Sequence, residues 1–380
     1  MTKRFTRRTF LRTASQGLAA SALTACVRPV QASTGNGVVS WSDERFAASK
    51  PELQPQQQPL PIPEATLETM VGQMLLIGFF GSEITAGSEI SEAARTGKIG
   101  GVVLFGGNVR GIDQMKALTS TLQAAASTPL FISLDQEGGL VSRLGNWAGL
   151  SSNHSAQYLG ELNDLNLTRA QALSTAGILH DLGVNMNLAP VVDLNLNVWN
   201  PVIGGVRRAY SRNPDRVFEQ AKAVIDAHRE KGVICTLKHF PGHGSSDGDT
   251  HLGFVDVTDS WQEIELSPYI QLMAAQEVDA IMSAHIFNAR LDPDFPATLS
   301  HKVITGLLRE QMGYQGVVIS DDMRMRAISD IYEPADAVLR AVEAGIDIIA
   351  ISNNIAGKRP ISPTEAYQIL LDHVGTGLIP

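Results

Sequence analysis

Eight short, apolar, β-rich runs recur along the chain, and they constrain its fold more than any other feature. They are Met74–Phe80, Gly101–Phe105, Leu130–Asp135, Asn185–Ala189, Ile234–His239, Ala280–His285, Val317–Asp321 and Asp347–Ser352. Most are continuously apolar rather than alternating, the pattern of parallel strands covered on both faces. The stretches between them are long enough for helices. One of these places Val217, Ala221, Val224, Ile225 and His228 at helical spacing. Strand–helix alternation repeated eight times predicts an α/β fold, a single-domain (β/α)8 TIM-like barrel over residues 64–380. A doubly wound open sheet also alternates but usually stops earlier. No Gly-x-Gly-x-x-Gly follows the first strand, so dinucleotide binding has no support.

Hydrophobic residues make up 44% of the chain and charged residues 18%, enough apolar material for a sizeable core. The formal net charge is -9, from 30 Lys+Arg against 39 Asp+Glu. The first 25 residues carry Lys3, Arg4, Arg7, Arg8 and Arg12 and no acid, so the rest is more acidic still. Such a body is a poor partner for nucleic acid or an anionic membrane. Two cysteines, Cys26 and Cys235, exclude a disulfide framework. No run of about twenty apolar residues occurs.

Residues 1–25 read as an export segment. Thr6-Arg7-Arg8-Thr9-Phe10-Leu11 resembles a twin-arginine signal, and Leu23-Thr24-Ala25-Cys26 resembles a bacterial lipobox. The second resemblance implies cleavage before Cys26 and lipidation of its thiol. Residues 26–63 then form a tether, rich in Pro and Gln between Pro51 and Pro63, that cannot bury a core. The expected location is the periplasm or cell envelope, with membrane contact through the lipid anchor only. Cys235, in the apolar run Val233-Ile234-Cys235, is expected to be a buried thiol.

Polar residues end the strand runs on one side: Asp135, Asp193, Lys238-His239, His285, Asp321-Asp322 and Asn353-Asn354. In a barrel, the carboxyl ends of the strands carry the active site. The densest group is Lys238-His239-Phe240-Pro241-Gly242-His243-Gly244, followed by Asp249-Thr250-His251. Three histidines and two acids so close together suggest proton transfer or metal ligation. Pro241 and Gly242 forbid a helix that would align His239 with His243, and the first strand lacks a terminal His-x-His pair. Neither a metal nor a cofactor is expected.

Together these residues resemble the family 3 glycoside hydrolases, and within them the single-domain β-N-acetylhexosaminidases. The resemblance runs from about Leu67 to Asn354 through motifs in order. They are Asp135-Gln136-Glu137-Gly138-Gly139 with Arg143; Asn187-Leu188-Ala189-Pro190-Val191-Val192-Asp193; Asn200-Pro201-Val202-Ile203-Gly204; Arg208-Ala209-Tyr210-Ser211-Arg212-Asn213-Pro214; Lys238–Gly244; and Ser320-Asp321-Asp322-Met323. The resemblance implies Asp321 as nucleophile, His251 as general acid/base and Asp249 as the group that orients it. It implies that Asp135, Arg143, Arg208, Lys238 and His239 grip the sugar. Arg207 competes with Arg208 for that role, because the spacing from Ile203-Gly204 is one residue longer than the family pattern. Other departures are Leu140 for Arg, Ser245 for Asp or Asn, and Leu252-Gly253-Phe254-Val255 where Leu-Pro often follows the loop histidine.

The implied reaction is retaining hydrolysis of terminal β-linked N-acetylglucosamine from peptidoglycan fragments or chitin-type oligosaccharides. A carboxylate attacks and an acid protonates the leaving oxygen. Histidine suits the second task because its ordinary pKa, about 6.5, lies near working pH. The alternatives are a β-glucosidase-like or phosphorolytic relative, and a non-catalytic sugar-binding lipoprotein.

Overall fold

The computed structural model describes residues 66–145 and 153–377. The export segment, Cys26 and the tether lie outside the described residues.

Eight parallel strands follow one another around a barrel: β1 (Leu75–Gly78), β2 (Gly101–Leu104), β3 (Phe131–Leu134), β4 (Met186–Asn187), β5 (Ile234–Phe240), β6 (Ala280–Ser283), β7 (Val317–Ile319) and β8 (Ile349–Ile351). Each lies inside one of the predicted runs except β5, which extends one residue further to Phe240. β8 pairs with β1, and the circle closes where Ile319 bridges Ile348 and the Ser320 N–H donates to the Ile348 carbonyl at 2.9 Å. The expected barrel is therefore present.

The continuous apolar runs have a direct cause. Leu76, Val103, Phe131, Met186, Ile234, Met282, Ile319 and Ile348 pack together as the barrel interior. Their neighbours Leu75, Ile77, Val102, Leu104, Ile132, Cys235 and Ile349 pack outward under the helices. Both faces are covered, so most positions are apolar, and exceptions such as Ser133 and Asn187 are bonded to backbone groups. Cys235 is a buried free thiol.

The helical prediction also holds. A helix spans Pro214–Glu230 and buries Val217, Ala221, Val224, Ile225 and His228. Pro214 starts it, and the Asn213 side chain accepts the N–H groups of Asp215 and Arg216 at 2.8 and 3.3 Å. The fourth strand is shorter than its run, and Pro190, just past the run, has no N–H to offer the ladder. The chain rejoins the sheet at Val191, which bridges Lys238.

Candidate active site

The polar residues that end the runs converge at the carboxyl rim. Asp135, immediately after β3, accepts from Lys238 Nζ at 2.6 Å and from Arg143 at 3.0 Å. Lys238 Nζ also lies 2.7 Å from Glu137 Oε1. Arg208 grips Glu137 with two parallel N–H donors, each at 2.8 Å. Burial pushes both carboxyls up, but Lys238 and the two arginines outweigh it. They hold Asp135 well below the usual carboxylate range and pull Glu137 down to about 2. Burial pushes the Lys238 ammonium down, but Asp135 and Glu137 raise it overall. The result is a fixed lattice of charge: three cations against two carboxylates, with donors and acceptors alternating, as a polyhydroxylated ligand requires.

Of the two arginines, the lattice contains Arg208. Arg208 is turned inward, donates to the Val202 carbonyl at 2.8 Å and comes within 3.4 Å of His239 Nε2. Arg207 is exposed, at φ 62°. Glu137, given no role from sequence, is the partner that fixes Arg208.

His239 is held from behind. Its Nδ1 donates to Asp193 Oδ2 at 2.7 Å, and its own N–H and that of His243 also point at Asp193. Asp193 is fully buried and is a second group that sequence placed at the rim without a role.

Asp321 and Asp322 divide their work. Asp322 accepts from the N–H groups of Arg324 (3.0 Å) and Ser352 (2.9 Å), and also from the Ser352 hydroxyl, so it ties β7 to β8. Asp321 accepts from the Asp322 N–H at 2.8 Å. Burial pushes its carboxyl up, but the imidazoles of His285, His239 and His251 bring it below the usual carboxylate range. An ionised, lightly bonded carboxylate is what a nucleophile requires. His285 is fixed between the Thr298 hydroxyl (2.8 Å) and the Asp322 carbonyl (3.0 Å).

The remaining pair lies on the loop after β5. His251 Nδ1 and its backbone N–H both donate to Asp249 Oδ1, each at 2.8 Å. Nδ1 is thereby committed, and the other ring nitrogen, Nε2, belongs to a side chain 52% exposed. The loop is held on two sides. Asn197 donates to the carbonyls of Gly244 (3.1 Å) and Ser246 (2.9 Å), and Asn200 to that of His243 (2.7 Å). Glu265 accepts from the N–H groups of Gly244 and Ser245 at 2.9 and 3.3 Å and from the Ser245 hydroxyl at 2.6 Å. Ser245, one of the departures from the family pattern, thus serves the loop's support. A Cβ on Gly244 would lie 1.8 Å from the Leu194 carbonyl, so only glycine fits there.

The eight residues expected from the resemblance to act on or hold the sugar lie at this rim; Cys26 lies outside the described residues. Among the described residues, no three His, Cys, Asp or Glu side chains form a metal-ligand group.

The profile of the Glycosyl hydrolase family 3 N terminal domain matches residues 66–380. "Beta-hexosaminidase A" of Pseudoalteromonas piscicida is 35% identical over 348 residues, covering 80% of this chain and 57% of that protein. "Beta-hexosaminidase" of Tolumonas auensis is 35% identical over 290 residues, covering 74% of this chain and 84% of that protein. The structure of a family 3 beta-N-acetylglucosaminidase from Paenibacillus sp. superposes with a TM-score of 0.75 at 36% identity, over 83% of this chain and 59% of that one. The chain therefore spans less than two thirds of the Pseudoalteromonas and Paenibacillus proteins.

Proposed function

The chain belongs to glycosyl hydrolase family 3, and from that premise we propose that it hydrolyses terminal, non-reducing β-linked N-acetylglucosamine with retention of configuration. The names of its relatives support the sugar. The observation that carries the chemistry is the Asp249–His251 pair, bonded at 2.8 Å and close enough to Asp321 to help keep its carboxylate ionised.

In the first step an Asp321 carboxylate oxygen bonds to the anomeric carbon. The bond from that carbon to the glycosidic oxygen breaks, and the electron pair leaves with the oxygen. That oxygen takes the proton from His251 Nε2. Asp249, bonded to Nδ1–H, stabilises the imidazolium beforehand and orients the ring. In the second step neutral Nε2 takes a proton from water, whose oxygen bonds to the anomeric carbon and releases Asp321. Asp135, Arg143, Lys238, Arg208 and His239 hold the sugar hydroxyls. Ion pairs among them and with Glu137 and Asp193 fix them before substrate arrives, so little reorganisation is needed.

The test is release of the aryl group from an aryl β-N-acetylglucosaminide, with and without phosphate, while the first-formed sugar is followed by proton NMR. A β-configured free sugar in both buffers supports hydrolysis with retention. A sugar phosphate indicates phosphorolysis, and no release at all indicates a binding protein.

We further propose export and lipid anchoring through Cys26. Cys26→Ser is expected to abolish membrane association without changing barrel stability. Unchanged association contradicts the anchor.

A further inference from the structure

Whatever carries the leaving oxygen must lie against the exposed face of His251, so the residues flanking that histidine meet the second half of the substrate. Two of them are large, apolar and uncovered: Leu252 is 71% exposed and Phe254 is 52% exposed. Neither is on a loose strap. The Leu252 N–H donates to the Asp249 carbonyl at 3.0 Å. Past Phe254 the chain pairs with the segment after β6: the Phe287 N–H donates to the Val255 carbonyl at 2.9 Å, and the Val257 N–H to the Phe287 carbonyl at 2.8 Å. Val255 and Val257 are buried, which turns Phe254 and Asp256 outward. The Phe254 ring lies 5.3 Å from that of Phe287 and tilted 41° to it. Phe254 is therefore an outward-facing aromatic ring, three residues along the chain from His251 and backed by Phe287.

Acids outnumber cations around it. From Ser245 to Trp261 the chain carries Asp247, Asp249, Asp256 and Asp259 and no Lys or Arg. Two cations lie on adjoining segments, and both are engaged. Arg290 donates to the Trp261 carbonyl at 3.0 Å, and Arg326 lies 3.9 Å from Asp330. An anionic leaving group placed here meets a surplus of acidic side chains, whereas the C–H face of a neutral pyranose meets an aromatic ring.

Building on the hydrolase reading, we infer that Phe254 and Leu252 form the platform for the leaving group, and that the platform selects a neutral sugar ring over one bearing a carboxylate. The substrate class is then the chitin-type oligosaccharide, whose next residue is neutral, rather than the peptide-free peptidoglycan disaccharide, whose next residue carries a free lactyl carboxylate.

The test compares kcat/KM for three substrates of wild type, Phe254→Ala and Phe254→Trp. They are N,N′-diacetylchitobiose, the disaccharide of N-acetylglucosamine β-linked to N-acetylmuramic acid, and N-acetylglucosaminyl β-fluoride. The fluoride has a one-atom leaving group and cannot touch the platform. Wild type is expected to prefer the neutral disaccharide by about tenfold or more over the anionic one, with the gap narrowing in high salt. Phe254→Ala is expected to lose about tenfold on the neutral disaccharide, mainly in KM, and nothing on the fluoride. Phe254→Trp is expected to restore the loss. Preference for the anionic disaccharide overturns the inference, as does a Phe254→Ala loss equal on all three substrates or absent from all. Cleavage of none of the three by wild type overturns the hydrolase reading itself, a distinct result.

Discussion

The Ala327 N–H donates to the Thr250 carbonyl at 3.1 Å, fastening the loop of Asp249 and His251 to the segment that follows Asp321. Two groups from different strands of the barrel, β5 and β7, are thereby held at one rim.

The division of labour between Asp321 and His251 predicts two different failures. Asp321→Asn is expected to lose about 10^4-fold or more in kcat on every β-N-acetylglucosaminide, because the amide cannot form the glycosyl-enzyme. His251→Ala is expected to lose about 10^2- to 10^4-fold on glycosides with poor leaving groups and little on dinitrophenyl-type ones, which need no proton. Asp249→Asn is expected to fall between wild type and His251→Ala. The measurement is kcat/KM across aryl glycosides of graded leaving-group pKa. A flat loss for His251→Ala contradicts the acid role.

Lys238 is the hub of the charge lattice, within 2.6 Å of Asp135 and 2.7 Å of Glu137. Lys238→Met leaves two buried carboxylates short of a cation, which is expected to cost about 3–5 kcal/mol. The wild-type lattice stabilises the fold above the ordinary carboxylate range and loses that contribution as pH falls toward the depressed value of about 2 for Glu137. Lys238→Met is therefore expected to unfold at higher pH than wild type in an acid titration followed by circular dichroism. An unchanged acid midpoint contradicts this account of the lattice.

Glu265 behaves in the opposite sense. Burial first, with the nearby Asp193 charge adding to it, pushes its carboxyl up to about 7 despite the donors from Ser245, Gln262 and Gly244. The folded state holds this proton more tightly than the unfolded chain does. The resulting stabilisation is complete below the ordinary carboxyl pKa and is lost as pH rises through about 7. Glu265→Gln keeps the hydrogen-bonding shape and removes the titration. Its Tm relative to wild type is expected to rise between pH 5 and 8, and a constant difference across that range contradicts the prediction.

Much of this was legible in advance, for identifiable reasons. The eight strands could be read because both faces of each are covered, so most of their positions are apolar. Asp135, Lys238, His239 and Asp321 could be read because they end such runs, and topology gathers strand ends at one rim. Glu137 and Asp193 could not be given roles, because these depend on partners 71 and 46 residues away. Glu265 had no signal: it lies on another turn of chain and acts by accepting the N–H groups of Gly244 and Ser245 and the Ser245 hydroxyl. The split between Asp321 and Asp322 was hidden as well, since the tie to Ser352 forms only when β7 and β8 meet.

Gly244 tests whether loop position matters for activity apart from fold. Gly244→Ala would place a methyl group 1.8 Å from the Leu194 carbonyl, so the loop must shift outward. Activity is expected to fall by about 10^2-fold with the far-ultraviolet spectrum unchanged, since a misplacement of about 1 Å has that order of effect. Full activity in this variant contradicts a positioned His251.

The central claim is a covalent bond between the sugar and Asp321. Its most direct test is incubation with 5-fluoro-N-acetylglucosaminyl fluoride, whose ring fluorine slows both steps while its fluoride leaving group keeps the first one fast. Intact-protein mass spectrometry is expected to show one added glycosyl group, mapped to the peptide containing Asp321 and missing in Asp321→Asn. A label on a different carboxylate, or no label together with an inverted product, contradicts the mechanism.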